Sequence, residues 1–378
     1  MSPIPKPLQK ALQEREAAGT LRRLSQESYP IDFYSNDYIG LAKSTAVREK
    51  AHAILQSYPV QNGSTGSRLL SGNYPLIREA ETYLAAFHAG ERGLLFNSGY
   101  DANVGIFSSI PQKGDVVLYD QYIHASIRDG LQLNKAQNFK FKHNSLSDLQ
   151  EKLQRFATTA TTLYIATEAV FSMDGDTPDL LAMVALAKQY NAYIIIDEAH
   201  SVGVFGQKGE GLCQALGIEK DIFLRLITFG KGIGAHGALV LAQTEVIDYL
   251  VNFARSFIYT TATAPESVAT LLAAYALLPE TKERALLHEN IAFFREKAQV
   301  LSQEKGLTFI DSTSAIQGLI IPDSQRVKQV AAHLQAQGMG IKPILSPTVP
   351  KGEERLRICL HSYNTKEEIT QLFQGISK

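Results

Sequence analysis

Six short, nearly unbroken apolar stretches recur between residues 93 and 242: "GLLFN", "DVVLYD", "TLYIAT", "AYIIIDEAH", "FLRLITFG" and "ALVLA". Each has the length and β-branched content of a strand, and helical patterns fill the intervals between them. A strand buried on both faces loses the alternation of polar and apolar residues, so these runs predict a mainly parallel sheet with helices on both sides. Upstream, Leu8, Leu12 and Leu21 recur at roughly helical intervals among charges, which predicts an amphipathic helix over residues 5–23 that packs on a larger body. Long helical patterns follow Pro265. After about residue 307, "TFID", "AIQGLIIP" and "RLRICL" alternate with helices in a shorter α+β segment. This division predicts an N-terminal helix and arm over 1–44, a large α/β domain over 45–285 and a small α+β domain over 286–378.

Composition narrows the function classes. Of 378 residues, 20 % are charged and 45 % hydrophobic, and the formal net charge is −1, so nothing favours a nucleic acid or an anionic membrane surface as partner. Cys213 and Cys359 show no metal spacing and no disulfide framework, which fits a reducing compartment. The first residues lack an apolar signal core, and no stretch reaches the ~18 apolar residues that span a bilayer. A cytoplasmic protein is expected, with no metal and no membrane partner.

In open α/β sheets, ligands bind at the carboxyl edge of the strands, where this chain collects its polar residues. Ser98 and Gly99 follow one predicted strand, Glu168, Ser172 and Asp174 another, Asp197 and His200 a third, and Lys231 a fourth. "TFGKGIGAHGALVLA", Thr228 to Ala242, sets Lys231 among four glycines beside an apolar run. A phosphate-binding P-loop would need glycine where Arg225 stands and Ser or Thr where Gly232 stands. Two readings remain, a solvated lysine in a glycine-rich turn and a lysine whose amine forms an imine with a carbonyl cofactor. Asp197 reads either as the cap of a turn or as the partner of a cationic ring nitrogen. His124 and His200 read either as structural histidines or as cofactor contacts. Arg357 lies on the face of its strand opposite Leu356 and Ile358, and its guanidinium suits either a substrate carboxylate or a local glutamate. "NGSTGSRLLSGN" is a flexible loop or a cover over a substrate.

Taken in order, "TEAVFSMDGDTPDL", "IIIDEAHSVGVFG", "TFGKGIGAHGA" and "IYTTATAP" resemble the α-oxoamine synthase family of fold-type I PLP enzymes. The likeness extends to "YSNDYIGL" and "SPTVPKGEERLRICL", nearly the whole chain. It implies a seven-stranded, mainly parallel sheet and pyridoxal 5'-phosphate (PLP) bound to Lys231. Asp197 then matches the partner of the ring nitrogen, His200 that of the phenolic oxygen, and His124 the ring stacked above the cofactor. Gly99 and Tyr100 match the phosphate site, Ser172 and Thr228 further cofactor contacts, and Thr260 and Thr261 a segment reaching the phosphate from a second subunit of a homodimer. Asn36 and Arg357 match positions that hold the amino-acid carboxylate, and Arg22 and Thr348 positions on the acyl side. "GSTGSRLLSGN", "FARSFIYTTAT" and "SPTVPKGEERLRICL" are most similar to the branch that condenses L-alanine with a pimeloyl thioester in biotin synthesis. A sibling using glycine, and a non-catalytic partner subunit of the same fold, stay open beside it. Coenzyme A and acyl carrier protein are both open as the thioester carrier.

Overall fold

The computed structural model describes residues 4–24, 27–59 and 62–377. Its strands are β1 (Ile31–Asp32), β2 (Arg92–Phe96), β3 (Val116–Asp120), β4 (Gln137–Phe141), β5 (Leu163–Glu168), β6 (Ala192–Asp197), β7 (Leu224–Thr228), β8 (Ala238–Ala242), β9 (Thr308–Phe309), β10 (Ile316–Ile320), β11 (Met339–Gly340), β12 (Lys342–Ile344) and β13 (Arg355–Cys359). Seven of them form one sheet in the order β2-β8-β7-β6-β5-β3-β4. Only β8 runs antiparallel to its neighbours, β2 and β7; the remaining pairs are parallel.

The unbroken apolar runs have a direct cause. Along β6, Ile195 joins one apolar cluster, with Val117, Ala166, Leu226 and Val240, while Ile194 and Ile196 join another on the opposite face, with Leu118 and Ile165. Both sets are essentially shut off from solvent, and each valine, leucine or isoleucine among them contributes about 1.5–3 kcal/mol on burial. A polar residue at any of these positions would face a packed layer of helices.

A four-stranded antiparallel sheet, β12-β13-β10-β9, stands C-terminal to the large one, and β1 pairs with β11 in a short parallel ladder. Segment 171–176 ties the two larger sheets together. Asp176 accepts from His143 Nε2 at 2.8 Å. The Gly175 carbonyl accepts from Ser312 Oγ at 2.8 Å, and the Ser172 carbonyl accepts from Arg357 Nε at 2.6 Å. Asp174 pairs with Arg355. Gly175 has a φ of +74°, and a Cβ there would collide with the Ile316 carbonyl, so only glycine closes this junction.

The N-terminal expectation is corrected in one respect. The helix spans Lys6–Ala17 rather than 5–23, ends before Gly19 at φ +64°, and buries none of its residues; Leu8 and Leu12 stay more than half exposed. Leu21 lies outside it. Among the described residues no helix is long and apolar enough to cross a membrane.

Candidate active site

Because its neighbours run parallel, the large sheet delivers several strand ends to one edge. After β2, the extended Ser98 caps the helix Gly99–Ser109, its Oγ accepting from the Asp101 amide at 3.1 Å. The first amides of that helix, Gly99 and Tyr100, have no partner within it, and the helix dipole favours an anion beside them. A Cβ on Gly99 would stand 2.6 Å from Thr228 Cγ2 at the end of β7, so the gap between the two strand ends is one glycine wide. The Tyr100 hydroxyl is bound to Asp129.

After β3, His124 caps the helix Ala125–Leu133. Its Nδ1 accepts from the Ser126 amide at 3.2 Å, which leaves the ring proton of the neutral imidazole on Nε2. Ser126 Oγ accepts from Asn103 Nδ2 at 3.0 Å, and the same amide group donates to Asp197 Oδ2 at 2.9 Å. Asp197 Oδ1 accepts from the Ala199 amide at 2.9 Å. Asp197 therefore does cap a turn, as one of its two sequence readings held, yet it is 7 % exposed and no lysine or arginine pairs with it among the described residues. A buried carboxylate without a cation is the environment that a protonated ring nitrogen completes.

Among the described residues Lys231 Nζ hydrogen-bonds only to Thr228 Oγ1, at 3.5 Å. Burial pulls its ammonium below the usual lysine range, against the opposing pull of Asp197 and Glu168. The surrounding glycines answer to protein backbone first: a Cβ on Gly232 would meet the Val202 carbonyl at 2.5 Å, and Gly234, at φ +64°, abuts Ala42. Burial, with help from the Lys231 and Arg357 cations, draws His200 well below the ordinary histidine value, so its ring is neutral.

One cavity of about 270 Å³ brings together Asn36, Gly99, Tyr100, His124, Asp197, His200, Thr228 and Lys231. A second, of about 390 Å³ and with largely apolar walls, is lined by Arg22, Ser172 and Thr348, and His124 again, so that one imidazole belongs to both. Arg357 sits between them: Nη2 donates to Asn36 Oδ1 at 3.0 Å, Nε to the Ser172 carbonyl, and Nη1 to Cys359 Sγ at 2.9 Å. No glutamate or aspartate pairs with it among the described residues, against the local-glutamate reading. Thr260 and Thr261 are not brought to this cavity within one chain. Asn97 Nδ2 donates to Thr260 Oγ1 at 3.1 Å and to the Thr261 carbonyl at 2.8 Å.

The residues present fit PLP. Among the described residues, an amine that no carboxylate pairs with, a buried carboxylate that no cation pairs with, a glycine-wide cradle at a helix N-terminus and a neutral imidazole match its aldehyde, ring nitrogen, phosphate and phenolic oxygen. A metal fits less well. His143, Asp174 and Asp176 cluster, but both ring nitrogens of His143 are held by carboxylates, Asp120 at 2.9 Å and Asp176 at 2.8 Å, which leaves no lone pair for an ion.

Sequence reasoning marked Glu168 only as a strand-end residue and passed over Asn103 and Tyr38. Glu168, on β5 in register with Asp197, accepts from the His124 amide at 2.6 Å; burial, then the Asp197 charge, pushes its carboxyl up to about 8. Asn103 links Asp197 to Ser126. Tyr38 lies 2.6 Å from His200 Nδ1. A strand-end position signalled Glu168, but nothing local signals Tyr38, whose contact spans 162 residues.

The chain is similar to known proteins over most of its length. The family model "Aminotransferase class I and II" matches residues 29–376. An 8-amino-7-oxononanoate synthase from Emericella nidulans is 42 % identical over 388 residues, covering 98 % of this chain and 94 % of that protein. Among solved structures, an 8-amino-7-oxononanoate synthase from Francisella tularensis superposes with a TM-score of 0.78 at 30 % identity, over 92 % of this chain and 96 % of that one. A serine palmitoyltransferase from S. paucimobilis carrying a PLP-myriocin aldimine superposes with a TM-score of 0.88 at 27 % identity, over 98 % and 96 %.

Proposed function

The chain belongs to the class I and II aminotransferase family, and on that premise we propose that it condenses L-alanine with a pimeloyl thioester, releasing CO2 and the free thiol and giving 8-amino-7-oxononanoate for biotin synthesis. It is a PLP-dependent C-acyltransferase of the α-oxoamine synthase type. The observation that carries the reading is the sharing of His124 between the Lys231 cavity and the apolar cavity, a layout for two substrates meeting at one imidazole.

Bound PLP supplies a carbonyl for the amino group of alanine and a conjugated ring that takes up the electron pair left when the Cα–H bond breaks. Lys231 would hold it covalently, Asp197 at its nitrogen, His200 at its phenolic oxygen, and Gly99, Tyr100 and Thr228 around it, while Ser172, expected beside it, lines the second cavity instead. Each residue then has a separate task. Asp197 retains a proton on the group beside it, because a buried carboxylate gains most from a cationic partner. Arg357 and Asn36 take the alanine carboxylate and so fix which Cα substituent faces Lys231. The buried Lys231 amine, easier to deprotonate than a solvated lysine, accepts that proton at Nζ. Nε2 of His124 donates a hydrogen bond to the acyl carbonyl, and later to the carboxylate that departs as CO2. The apolar wall of the second cavity takes the methylene chain, with Arg22 and Thr348 farther along it.

We also read the protein as a cytoplasmic homodimer in which Thr260 and Thr261 complete the partner's phosphate site. Two free, buried thiols, Cys213 and Cys359, fit a reducing compartment. The likeness to serine palmitoyltransferase keeps a sibling reaction in view. The test is purified protein assayed with alanine, glycine and serine against a panel of acyl thioesters, on coenzyme A and on acyl carrier protein. Alanine with pimeloyl thioester should give the highest kcat/KM. Higher values for glycine with a short acyl chain, or no condensation with any pair, would overturn the reading.

A further inference from the structure

Tyr38 is fully buried, and its hydroxyl has two neighbours able to accept its one proton: His200 Nδ1 at 2.6 Å and Asn36 Oδ1 at 3.2 Å. Asn36 Oδ1 already accepts from the Arg357 guanidinium at 3.0 Å. His200 Nδ1 has no other partner among the described residues, and an imidazole nitrogen is a stronger acceptor than an amide oxygen whose lone pair a cation has claimed. The shorter contact is also the one to the imidazole. Burial pushes the Tyr38 ionisation far up, so the phenol keeps its proton as a donor. A neutral imidazole carries one N–H. With Nδ1 accepting, that hydrogen stands on Nε2, the nitrogen without a protein partner among the described residues, on a side chain that lines the Lys231 cavity.

We infer that Tyr38 is a positioning residue: by donating to His200 Nδ1 it locks His200 in the Nε2–H tautomer and presents a fixed hydrogen-bond donor to whatever anionic oxygen occupies the cavity. The inference rests on the reading above only in naming that oxygen as the phenolic oxygen of PLP. His124 arrives at the same tautomer by another route, its Nδ1 tied by the Ser126 amide. His124 and His200, two of the cavity's histidines, thus present Nε2–H as donors, each held from behind through Nδ1.

The test needs no turnover. In the full-length chain with ring-labelled histidine, the two 15N shifts of His200, assigned with a His200→Gln variant, report which nitrogen is protonated. The wild type should show a pyrrole-type Nε2 and a pyridine-type Nδ1, both without PLP and with it. Tyr38→Phe should convert His200 to a mixture or to the opposite tautomer. A pyridine-type Nε2 in the wild type, or identical His200 shifts in Tyr38→Phe, overturns the inference. The wild-type spectrum decides even where the variant fails to fold. After PLP loading, loss of the fixed donor should raise the pH midpoint of the bound cofactor's absorbance change by about one unit, because a donor to the phenolic oxygen stabilises its anion. Lys231, Arg357 and His124, the other groups acting on His200, are the same in both proteins. An unmoved midpoint overturns the assignment of the donor to that oxygen. A chain that binds no PLP at all would sink the proposed function, and the tautomer measurement would still stand.

Discussion

Replacing Arg357 by lysine keeps the charge and removes the fork. A guanidinium has five N–H groups. Three are engaged, with the Ser172 carbonyl, Asn36 Oδ1 and Cys359 Sγ, which leaves two, one on each Nη, for a carboxylate. Hydrogen bonds between charged partners contribute about 1.5–3 kcal/mol each. A lysine carries its three N–H groups on one nitrogen, which cannot stand beside Ser172, Asn36 and both oxygens of a substrate carboxylate at once, so about 2–4 kcal/mol of alanine binding is lost. At 1.4 kcal/mol per factor of ten, that raises KM for alanine by roughly 30- to 1000-fold. The turnover number also falls, since a carboxylate held at one point no longer fixes the Cα–H bond toward Lys231. Initial rates with alanine varied at saturating pimeloyl thioester separate the two effects. A KM for alanine within threefold of wild type would refute the clamp, and an equal rise in the KM for the thioester would mean that the variant disturbs segment 171–176 instead.

Asp197→Asn should retain PLP yet slow exchange of the alanine Cα hydrogen in D2O by roughly a thousandfold, since about three units of lost proton preference at the ring nitrogen amount to about 4 kcal/mol; exchange at the wild-type rate, read by proton NMR, contradicts the role of Asp197. For His143, burial opposes the charged ring, but the hydrogen bonds and charges of Asp120 and Asp176 outweigh it and hold the imidazolium up to about 9. A pKa raised in the folded state adds stability that is full below about pH 6.5 and is lost as pH rises through 9. Urea unfolding should therefore show about 3 kcal/mol less stability at pH 10 than at pH 6 from this group, a difference absent in His143→Gln. Mixing a Lys231→Ala chain with a Thr260→Ala, Thr261→Ala chain should restore activity above either parent once subunits exchange, because one site of the heterodimer collects both lesions and the other none. Exchange without recovery means that each site is built from a single chain.

Strands buried on both faces were legible because their composition has one cause. The strand Gln137–Phe141 was not: it closes the edge of the sheet, its polar residues meet solvent, and "QNFKF" carries no apolar run. The pairings of Ile31–Asp32 and Met339–Gly340 are too short for any periodicity to register. The helix Lys6–Ala17 shows the opposite failure. Leucine spacing implied a buried face, and among the described residues nothing buries it. At the site, residues that end strands could be found because strand ends converge. Tyr38, Asn103 and the bond from the His124 amide to Glu168 could not, since each is a long-range contact made by a residue whose own neighbourhood is unremarkable.

His124 is a wall common to two chambers, and thermodynamics constrains what such a wall can do. Any tilt of the ring or reorientation of its Nε2–H on filling the Lys231 chamber alters the surface presented to the other. Linkage then requires that whatever factor alanine applies to the affinity for the thioester, the thioester applies to the affinity for alanine. Cooperativity between the two ligands is therefore a property that they hold jointly through one imidazole, and neither chamber has a binding constant that can be stated without the contents of the other.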